Sequence, residues 1–472
     1  MTSDQLRRWS LAAMFATAAL AGCGGGGDTN VVRQGPPPPP PPPPPPNTQR
    51  GTVLGSADVG TFTTAQIDHQ TAIDPTLVND TATCPVSVVR ISYSTIDPYG
   101  KAATASLGLL IPDESTCPGP HPLLSQQHGT SVDATFDNAS VASNSTAAQL
   151  SALYASHGYV VVMPNYLGYA GSSVTYHPYL LAEPSAAVVI DAIRAARSWL
   201  GTSHKSTQLS GDVYLAGNSE GGYVTMATQR TMERDFASEF HLVAVSPTSG
   251  PYDVSTTMIN FMTLPDDPTN SNSTAGALIP YGMQRSYGDV YTDPHQVFND
   301  PWAPEFAATT SVAIPSTTYQ GDLALRNNCV IPYNLKDPGG PNPGGCPSNA
   351  PLLQAGLVAD FLANTAIFSN AGKALRTHAA ANSLVTTSGP TFTPQAPVYI
   401  CYGDLDPMAT PNALEAIAAF GARAHIENIQ TDPWPPIANF VAGSTNVEAY
   451  HGQVEGPACS SWTRNKVFPV PH

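Results

Sequence analysis

Charged residues are scarce in this sequence, and basic residues are the scarcest of all. Only 11% of the 472 residues are charged, and 19 basic residues stand against 35 acidic ones, which gives a formal net charge of −16. This acidic balance argues against nucleic acid or an anionic surface as a partner. The sequence also lacks the CxxC and HxxxH spacings that are typical of metal sites, so metal binding is not expected.

Long apolar runs are absent too, except near the N-terminus. Without a later run of about 18 apolar residues, the body of the chain is not expected to span a membrane. Within residues 1–22, two arginines precede an apolar stretch from Trp9 to Ala21, which is the layout of an export signal. The stretch ends in Leu20-Ala21-Gly22-Cys23. This ending resembles the bacterial lipobox, in which the cysteine becomes the mature N-terminus and carries a lipid.

Residues 1–22 are therefore predicted to be a lipoprotein signal peptide, with a lipid on Cys23 anchoring the exported chain to the bacterial cell envelope. The anchor would lie at the outer membrane or the cell surface. An ordinary cleaved signal, and with it a released protein, is the alternative, and both Sec and Tat export stay open. Residues 23–50 form a Gly/Pro-rich tether in which eleven prolines run from Pro36 to Pro46. Such a run adopts a polyproline II helix and would give a stiff spacer of roughly 34 Å, although a linker without a spacing role is also compatible.

Cysteine usage agrees with export. Of the seven cysteines, Cys23 belongs to the lipobox, which leaves six. An even number of cysteines in an exported chain indicates disulfides. Sequence order favours the pairs that each close a local loop, namely Cys84–Cys117, Cys329–Cys346 and Cys401–Cys459.

From Cys84 onward, strand-like segments alternate with helix-like ones. Apolar–polar alternation or β-branched runs predict strands at Val86–Thr95, Ala102–Ile111, Pro122–Gln126, Tyr159–Met163, Val213–Ala216, His241–Val245, Pro397–Cys401 and Ala424–Ile429. Helical spacing of apolar residues predicts helices at Ala186–Leu200, Gly221–Arg230 and Asn412–Phe420, the first of them ending at Gly201. An antiparallel pair opens the domain. The later alternation predicts an α/β fold with a mostly parallel central sheet and helices on both faces.

Strand signals are missing from about Pro251 to Gln395, a gap too long for a loop in a compact domain. We therefore expect an inserted helical cap or lid at 251–395. Its candidate helices are Gln284–Phe298 and Leu352–Phe368. The insertion would divide the core of the fold into residues 51–250 and 396–472.

The segment VYLAGNSEGGY, residues 213–223, places one serine between glycines where a predicted strand meets a predicted helix. A serine hydroxyl becomes a nucleophile when a base takes its proton and aimed donors stabilise the oxyanion. A sharp strand-to-helix turn lifts the hydroxyl clear of the sheet, and it leaves little room for side chains on either side. Gly217 and Gly221 meet that requirement, which makes Ser219 the candidate nucleophile.

An acid and then a histidine follow the serine along the chain in this kind of arrangement. The strand predicted at Pro397–Cys401 is followed by two carboxylates, of which Asp406 is preferred as the acid and Asp404 is the alternative. His451 lies after the last predicted strand and is the preferred base. A Cys401–Cys459 bridge would fix the strand of the acid against the loop of the histidine.

Two other histidines are less suitable as the base. His425 falls inside the last predicted strand and is interpreted as a packing residue, and His472 is the C-terminal residue. The oxyanion would need two backbone N–H donors. Glu220, directly after the serine, should supply one, and the turn at His128-Gly129-Thr130 the other, with Thr130 preferred.

Together these motifs resemble the α/β-hydrolases, and more narrowly the secretory lipase branch with a helical cap, the lipase A-like enzymes. The resemblance covers most of residues 84–460. Besides GNSEGG at 217–222, it rests on QQHGTS, GYVVVMPNYLGYAGSS, HPYLLAEPSAAVVIDAIRAAR, SGPYDV and GDLDPM. It implies a carboxylic ester hydrolase with Ser219, Asp406 and His451 as its triad, an acyl-enzyme intermediate and an acyl pocket beneath the cap. The substrate would be an ester or a lipid, and no cofactor is needed.

Two departures and two rival functions accompany this resemblance. Asn165 stands where the family commonly has aspartate, and the segment between Cys329 and Cys346 has no evident counterpart.

A peptidase or amidase on the same fold is one rival, although the residues before Cys84 are too few for a separate substrate-sizing domain. A non-catalytic surface-binding lipoprotein is the other.

Overall fold

A computed structural model describes most of the body of the chain. It covers residues 50–73, 81–131, 134–142, 145–204, 206–263, 272–300, 303–306, 353–362, 369–403, 406, 409–428, 451 and 455–468. The predicted signal peptide, the tether up to residue 49 and the Cys329–Cys346 pair lie outside these residues and stay predictions. Within this part of the chain, no helix is both long enough and apolar enough to cross a membrane.

The strands build one large sheet and one small hairpin. Their bounds are β1 Val53–Phe62, β2 Val86–Ile96, β3 Ala102–Pro112, β4 His121–Gln127, β5 Val160–Pro164, β6 Leu209–Asn218, β7 His241–Thr248, β8 Val385–Thr386, β9 Gly389–Pro390, β10 Val398–Tyr402 and β11 Ala424–Asn428. Nine of them pair side by side in the order β1-β2-β3-β5-β4-β6-β7-β10-β11, whereas β8 and β9 pair with each other.

The direction of pairing changes once across the large sheet. From β1 through β2 and β3 to β5 the neighbours are antiparallel. From β5 onward, through β4, β6, β7 and β10 to β11, every pair is parallel. The carboxyl ends of these parallel strands therefore meet along one edge, which is where ligands bind in sheets of this kind.

Helices cover both faces of the sheet. Their bounds are α1 Thr64–Ile73, α2 Thr146–Leu153, α3 Ala182–Ser203, α4 Glu220–Asp235, α5 Val254–Thr263, α6 Asn272–Tyr287, α7 Ala355–Leu362, α8 Asn370–Asn382, α9 Ala409–Phe420 and α10 Gly456–Trp462. Short 3-10 turns occupy Ala155–His157, Pro294–Gln296, Ala303–Phe306 and Gly421–Arg423, and a π-helical turn occupies Thr463–Val467.

Strand β5 shows why two helical layers are needed. Its side chains alternate between two hydrophobic clusters, because successive residues of a strand point to opposite faces. Val160 and Val162 pack into the cluster that contains the buried face of α3, whereas Val161 and Met163 pack into the cluster that contains α2. The α/β fold with a mostly parallel central sheet and helices on both faces is confirmed.

The segment between β7 and β10 carries α5 to α8 and the small β8–β9 hairpin. Two helix predictions there had the wrong bounds. The predicted helix 284–298 is instead the end of α6, which finishes at Tyr287, followed by a 3-10 turn at Pro294–Gln296. The predicted helix 352–368 begins instead at Ala355, after a bridge at Leu353, and is seen as far as Leu362; residues 363–368 lie outside the described part of the chain. The assignment of 251–395 as a cap stays a prediction.

Two further differences lie in the core. Strand β1 and helix α1 precede Cys84, where no element was predicted, and β1 adds an antiparallel edge next to β2. Its side chains are mostly exposed, so the apolar pattern that signals a strand is weak. Helix α3 also continues past Gly201 to Ser203. Gly201 does not have the positive φ with which a glycine usually ends a helix, and the helical hydrogen bonds continue past it.

Candidate active site

Ser219 lies at the junction between β6 and α4, on a backbone turn that few residues adopt. Its φ of 60° and ψ of −124° are strained for a side chain with a Cβ atom. The turn brings backbone segments very close together. A Cβ added to Gly217 would lie 2.3 Å from the carbonyl oxygen of Gly221, and a Cβ added to Gly221 would lie 2.2 Å from the carbonyl oxygen of Gln127. The two glycines that flank the serine are thus a steric necessity.

Neighbouring strands fix this turn in place. The backbone N–H of Ser219 donates to the carbonyl oxygen of Thr248 at the end of β7, at 2.9 Å. Gly129, after β4, passes close on the other side, since an added Cβ there would lie 3.6 Å from the Ser219 Cβ. Because α4 begins directly after the serine, the positive end of its helix dipole points toward Ser219.

Asp406 and His451 are in direct contact. The Nδ1 atom of His451 is hydrogen-bonded to Oδ2 of Asp406, and the backbone N–H of Ala409 donates to Oδ1 at 3.0 Å. Asp406 is fully buried, whereas the side chain of His451 keeps 13% of its surface exposed. The carboxylate therefore has a fixed position beneath an imidazole ring that still reaches the surface of the site.

This contact shifts the pKa of both partners. Burial alone would raise the pKa of Asp406, but the positive charge and hydrogen bond of His451 outweigh it and lower that pKa to about 2. Burial alone would likewise lower the pKa of His451, yet the charge of Asp406 holds it well above 6.5. The pair favours a negative carboxylate and stabilises a positive imidazole ring.

The segment that carries His451 is attached to the strand of the acid. Cys401, on β10, forms a disulfide with Cys459, on α10. Cys84 and Cys117 also form a disulfide, so two of the three predicted pairs are confirmed. The Cys401–Cys459 bridge holds β10, which precedes Asp406, against the helix that follows His451.

A chain of contacts links Ser219 to the Asp406–His451 pair. Ser249 follows Thr248, the acceptor for the N–H of Ser219, and its hydroxyl donates to Oε1 of Glu455. The other carboxylate oxygen of Glu455 lies 3.6 Å from Nδ1 of His451. Gly456, the residue after Glu455, packs closely on Asn218, since a Cβ added to Gly456 would lie 2.9 Å from the Asn218 side chain. The two ends of the site thus lie at the same edge of the sheet.

The residues proposed as oxyanion donors follow Gly129 and Ser219 in the sequence. Thr130 follows Gly129, and its hydroxyl is hydrogen-bonded to the hydroxyl of Tyr179 at 2.9 Å. Glu220 is the first residue of α4, and its buried carboxylate contacts Nε2 of His177 at 2.5 Å. Both side chains are held by these partners, and the assignment of the two backbone N–H groups as oxyanion donors stays a prediction.

The structure also places the alternatives. His425 lies on β11 and is exposed, with its ring stacked on that of Tyr399 at a centroid distance of 4.5 Å. Asp404 and His472 lie outside the described residues. Asn165 is buried, and its amide donates to the hydroxyl of Ser106 at 2.9 Å and to Oδ1 of Asp137 at 3.1 Å. A carboxylate would lack the N–H for both contacts. The hydroxyl of Ser106 already donates to the carbonyl oxygen of Ala170 at 2.6 Å, and the Asp137 carboxylate is an acceptor, so the surroundings suit the amide.

Sequence reasoning missed two residues of this region. Glu455 follows His451 by four positions, a helical spacing that was available as a signal. His177 was quoted only within a family motif, and its role as partner of Glu220 depends on a contact across 43 positions.

Among the described residues, only Asp406, His451 and Glu455 form a cluster that could hold a metal ion. The hydrogen bond between His451 and Asp406 already uses two of those ligand atoms.

A mostly parallel sheet, helices on both faces and a strained serine turn between β6 and α4 define an α/β-hydrolase. Solved structures agree. The chain is 30% identical to the rice cell wall degrading esterase LipA from Xanthomonas oryzae in a ligand-bound form. That alignment covers 89% of this chain and 98% of LipA, with a TM-score of 0.71. The chain belongs to the α/β-hydrolase family of esterases and lipases, and these relatives support ester hydrolase activity.

More distant structures share the fold. A Legionella pneumophila protein is 21% identical over 88% of this chain and all of its own length, with a TM-score of 0.65. Candida antarctica lipase A in its closed state is 15% identical over 80% of this chain and 76% of its own, with a TM-score of 0.50. No protein-family model and no curated protein sequence matches the chain.

Proposed function

We propose that the protein is a serine carboxylic ester hydrolase of the lipase type, with Ser219 as its nucleophile, His451 as its base and Asp406 as its acid. The observation that carries this proposal is the position of Ser219. Its strained turn lies at the same sheet edge as a hydrogen-bonded Asp406–His451 pair. The family supports the same reaction type, since a relative with 30% identity is described as an esterase.

In the first half of the reaction, Nε2 of His451 takes the proton from the hydroxyl of Ser219 as its oxygen attacks the ester carbonyl. The attack gives a tetrahedral oxyanion, which then collapses and expels the alcohol with the proton that His451 returns. Asp406 holds Nδ1–H and stabilises the imidazolium, in agreement with the raised pKa of His451. The product of this half is an ester between the acyl group and Ser219.

In the second half, water attacks the acyl-enzyme as Nε2 of His451 takes its proton. The bond between the acyl carbon and the Ser219 oxygen then breaks, the carboxylic acid leaves, and His451 returns the proton to Ser219. The backbone N–H groups of Glu220 and Thr130 would stabilise the oxyanion in both halves. Glu220 directly follows Ser219, and Thr130 follows Gly129, which passes close to Ser219. The proposed cap at 251–395 would cover the acyl group. No cofactor enters any of these steps.

Substitution of the nucleophile tests the proposal. Ser219→Ala should remove hydrolysis of short p-nitrophenyl esters and leave the unfolding curve unchanged. A panel from acetate esters to long-chain triglycerides, with plant cell-wall material added because LipA is described as degrading rice cell walls, would then give the substrate class. Faster turnover of matched amides than of esters would favour a peptidase instead.

We further propose that the mature protein is anchored to the cell envelope by a lipid on Cys23 and held away from the membrane by the tether 23–50. The lipobox-like sequence before Cys23 supports the anchor. Metabolic labelling with a radioactive fatty acid should mark the wild-type chain, and Cys23→Ala should lose both the label and membrane fractionation. An unlabelled wild-type chain in the soluble fraction would argue for an ordinary cleaved signal.

A further inference from the structure

Glu455 is a second buried carboxylate beside the imidazole of His451, and the reaction described above does not use it. Its side chain is fully buried, and its Oε2 atom lies 3.6 Å from Nδ1 of His451. That nitrogen already donates its one proton to Asp406. Glu455 therefore needs a different role from that of the acid.

The two carboxylate oxygens of Glu455 have different surroundings. Oε1 accepts two hydrogen bonds, from the hydroxyl of Ser249 and from the backbone N–H of Gly403 at 2.9 Å. These donors follow β7 and β10, so the side chain joins the ends of two neighbouring strands. Oε2 is buried and has no hydrogen-bond partner among the described residues. Burying an anionic oxygen without a partner costs far more than burying a protonated one.

The negative charge of Asp406 also favours a protonated, neutral Glu455. Asp406 and Glu455 are both fully buried, and one ligand atom from each lies within 4.8 Å of the other and of His451. Two carboxylates this close do not readily ionise together. Burial, and then the negative charge of Asp406, raise the pKa of Glu455 to about 8.

We propose that Glu455 is a positioning residue that works as a neutral acid, protonated on Oε2 beside Asp406 and held on Oε1 by Ser249 and Gly403. It fixes the segment that carries His451 against the strands behind the nucleophile. It also leaves Asp406 as the one negative charge next to the imidazole. This inference rests on the proposed function, because it concerns the work that His451 does there.

Loss of the proton on Glu455 has a defined consequence for catalysis. The titratable groups that face Glu455 are Asp406, His451 and Tyr252. Burial raises the pKa of Tyr252, so its hydroxyl stays neutral over the working range. An ionised Glu455 would put a second negative charge beside His451 and raise the pKa of the imidazole further. That charge would also repel the buried carboxylate of Asp406 and loosen the segment that carries His451, so activity should fall above about pH 8.

The pH profile of kcat/KM on a short ester tests this inference with the full chain and three variants. Glu455→Gln keeps an acceptor and a neutral donor. It should retain kcat within about threefold at pH 7 with an unchanged acid limb, and it should lose the alkaline fall. Glu455→Leu removes both groups and should lower kcat at least about tenfold, with KM within about twofold. Glu415→Gln, the same substitution at another carboxyl with a raised pKa, should keep the alkaline fall.

Two results would overturn the inference. In the first, the acid limb of the kcat/KM profile of Glu455→Gln lies more than about one pH unit below that of the wild type. This shift would show that Glu455 is charged in the working enzyme. The other is a Glu455→Leu enzyme with wild-type kcat and unchanged unfolding. If the leucine variant does not fold, the glutamine profile decides alone. Ser219→Ala, measured alongside, separates the two proposals, since its retained activity would contradict the proposed function itself.

Discussion

The imidazole of His451 is hydrogen-bonded through Nδ1 to the carboxylate of Asp406, although 45 positions separate the two residues in the sequence. The carboxylate lies just after β10, and the ring lies just before α10. The disulfide between Cys401 and Cys459 joins these two elements directly. A contact that is distant in sequence is therefore supported by a covalent link close to it.

Removal of the charge on Asp406 should disable the imidazole. Asp406→Asn keeps the shape of the side chain but cannot hold Nδ1–H as an anion, so kcat/KM should fall by about a thousandfold or more. Asp404→Asn, the matched change at the alternative acid, should stay within about threefold of wild type. Steady-state kinetics on one short ester provides both values. A larger loss in the Asp404 variant would exchange the roles of the two aspartates.

The two described disulfides should have different effects on activity. The Cys84–Cys117 bridge closes a loop of 33 residues and the Cys401–Cys459 bridge one of 58. Replacing either pair by serine should therefore cost about 4 kcal/mol of unfolding free energy. Only Cys401→Ser/Cys459→Ser should also lower kcat under conditions where the chain is folded, because only that bridge holds the strand of Asp406 to the segment of His451. Chemical unfolding and kinetics at one low temperature separate the two effects. Equal kcat in both double variants would contradict this role.

Asn165→Asp should be destabilising even though the family commonly has aspartate there. The buried amide of Asn165 donates to Ser106 and to Asp137, and a carboxylate would place a second negative charge 3.1 Å from the Asp137 oxygen. The loss should reach about 3 kcal/mol at pH 7. Burial and Asp137 would raise the pKa of the new carboxyl, so its protonated form is stable at low pH.

The loss of stability in Asn165→Asp should therefore be smallest near pH 4 and grow as the pH rises through the folded pKa. Urea unfolding at several pH values measures it. Asn165→Ser serves as a control that shortens the side chain without adding charge, and its deficit should not depend on pH. A pH-independent deficit in the aspartate variant would show that charge is not the cause.

Glu415 predicts a pH dependence of stability. Burial, and then the nearby Asp253, raise its pKa from 4.5 to about 7. The folded state therefore gains stability that is fully present below about pH 4.5 and is lost as the pH rises through about 7. Glu415→Gln stays neutral, so relative to wild type it should gain about 1 kcal/mol between pH 4.5 and pH 8. This estimate is discounted because the side chain is partly exposed to water.

Glu239 is the matched control, since the sign there is opposite. Its hydrogen bonds with Arg194 lower the pKa of Glu239, so Glu239→Gln should lose stability at high pH relative to low pH. Denaturant midpoints for Glu415→Gln at pH 4.5 and pH 8, and for Glu239→Gln at pH 8 and at a pH well below 4.5, make the comparison, because the lowered pKa of Glu239 places its transition below 4.5. The same pH trend in both variants would refute the assignment of either shift to its local partners.

Local sequence patterns were sufficient for the part of the fold that surrounds Ser219. Val213–Ala216 in strand β6 are a continuous apolar run, and the glycines beside Ser219 are needed where the backbone crowds. The helix that follows has regular spacing of its buried residues. The pairing of Cys401 with Cys459 followed from the order of the cysteines. These features depend on residues close to one another in the chain, which is why the sequence shows them.

The features that the sequence did not show depend on contacts between distant segments. Strand β1 has mostly exposed side chains, and its place in the sheet comes from pairing with β2 rather than from its own pattern. His177 meets Glu220 only because the segment before α3 folds across the start of α4. Glutamate is a residue type that usually lies at the surface. Glu455 is buried because Ser249 and Gly403 supply its hydrogen-bond partners.

Covalent labelling tests the central claim most directly. A fluorophosphonate probe reacts with an activated serine and leaves a stable adduct, which peptide mass spectrometry assigns to one residue. The account predicts one adduct, on Ser219, together with loss of ester hydrolysis, and no adduct in Ser219→Ala or at the surface serine Ser198. An adduct on a different serine, or undiminished hydrolysis by an enzyme fully labelled at Ser219, would contradict it.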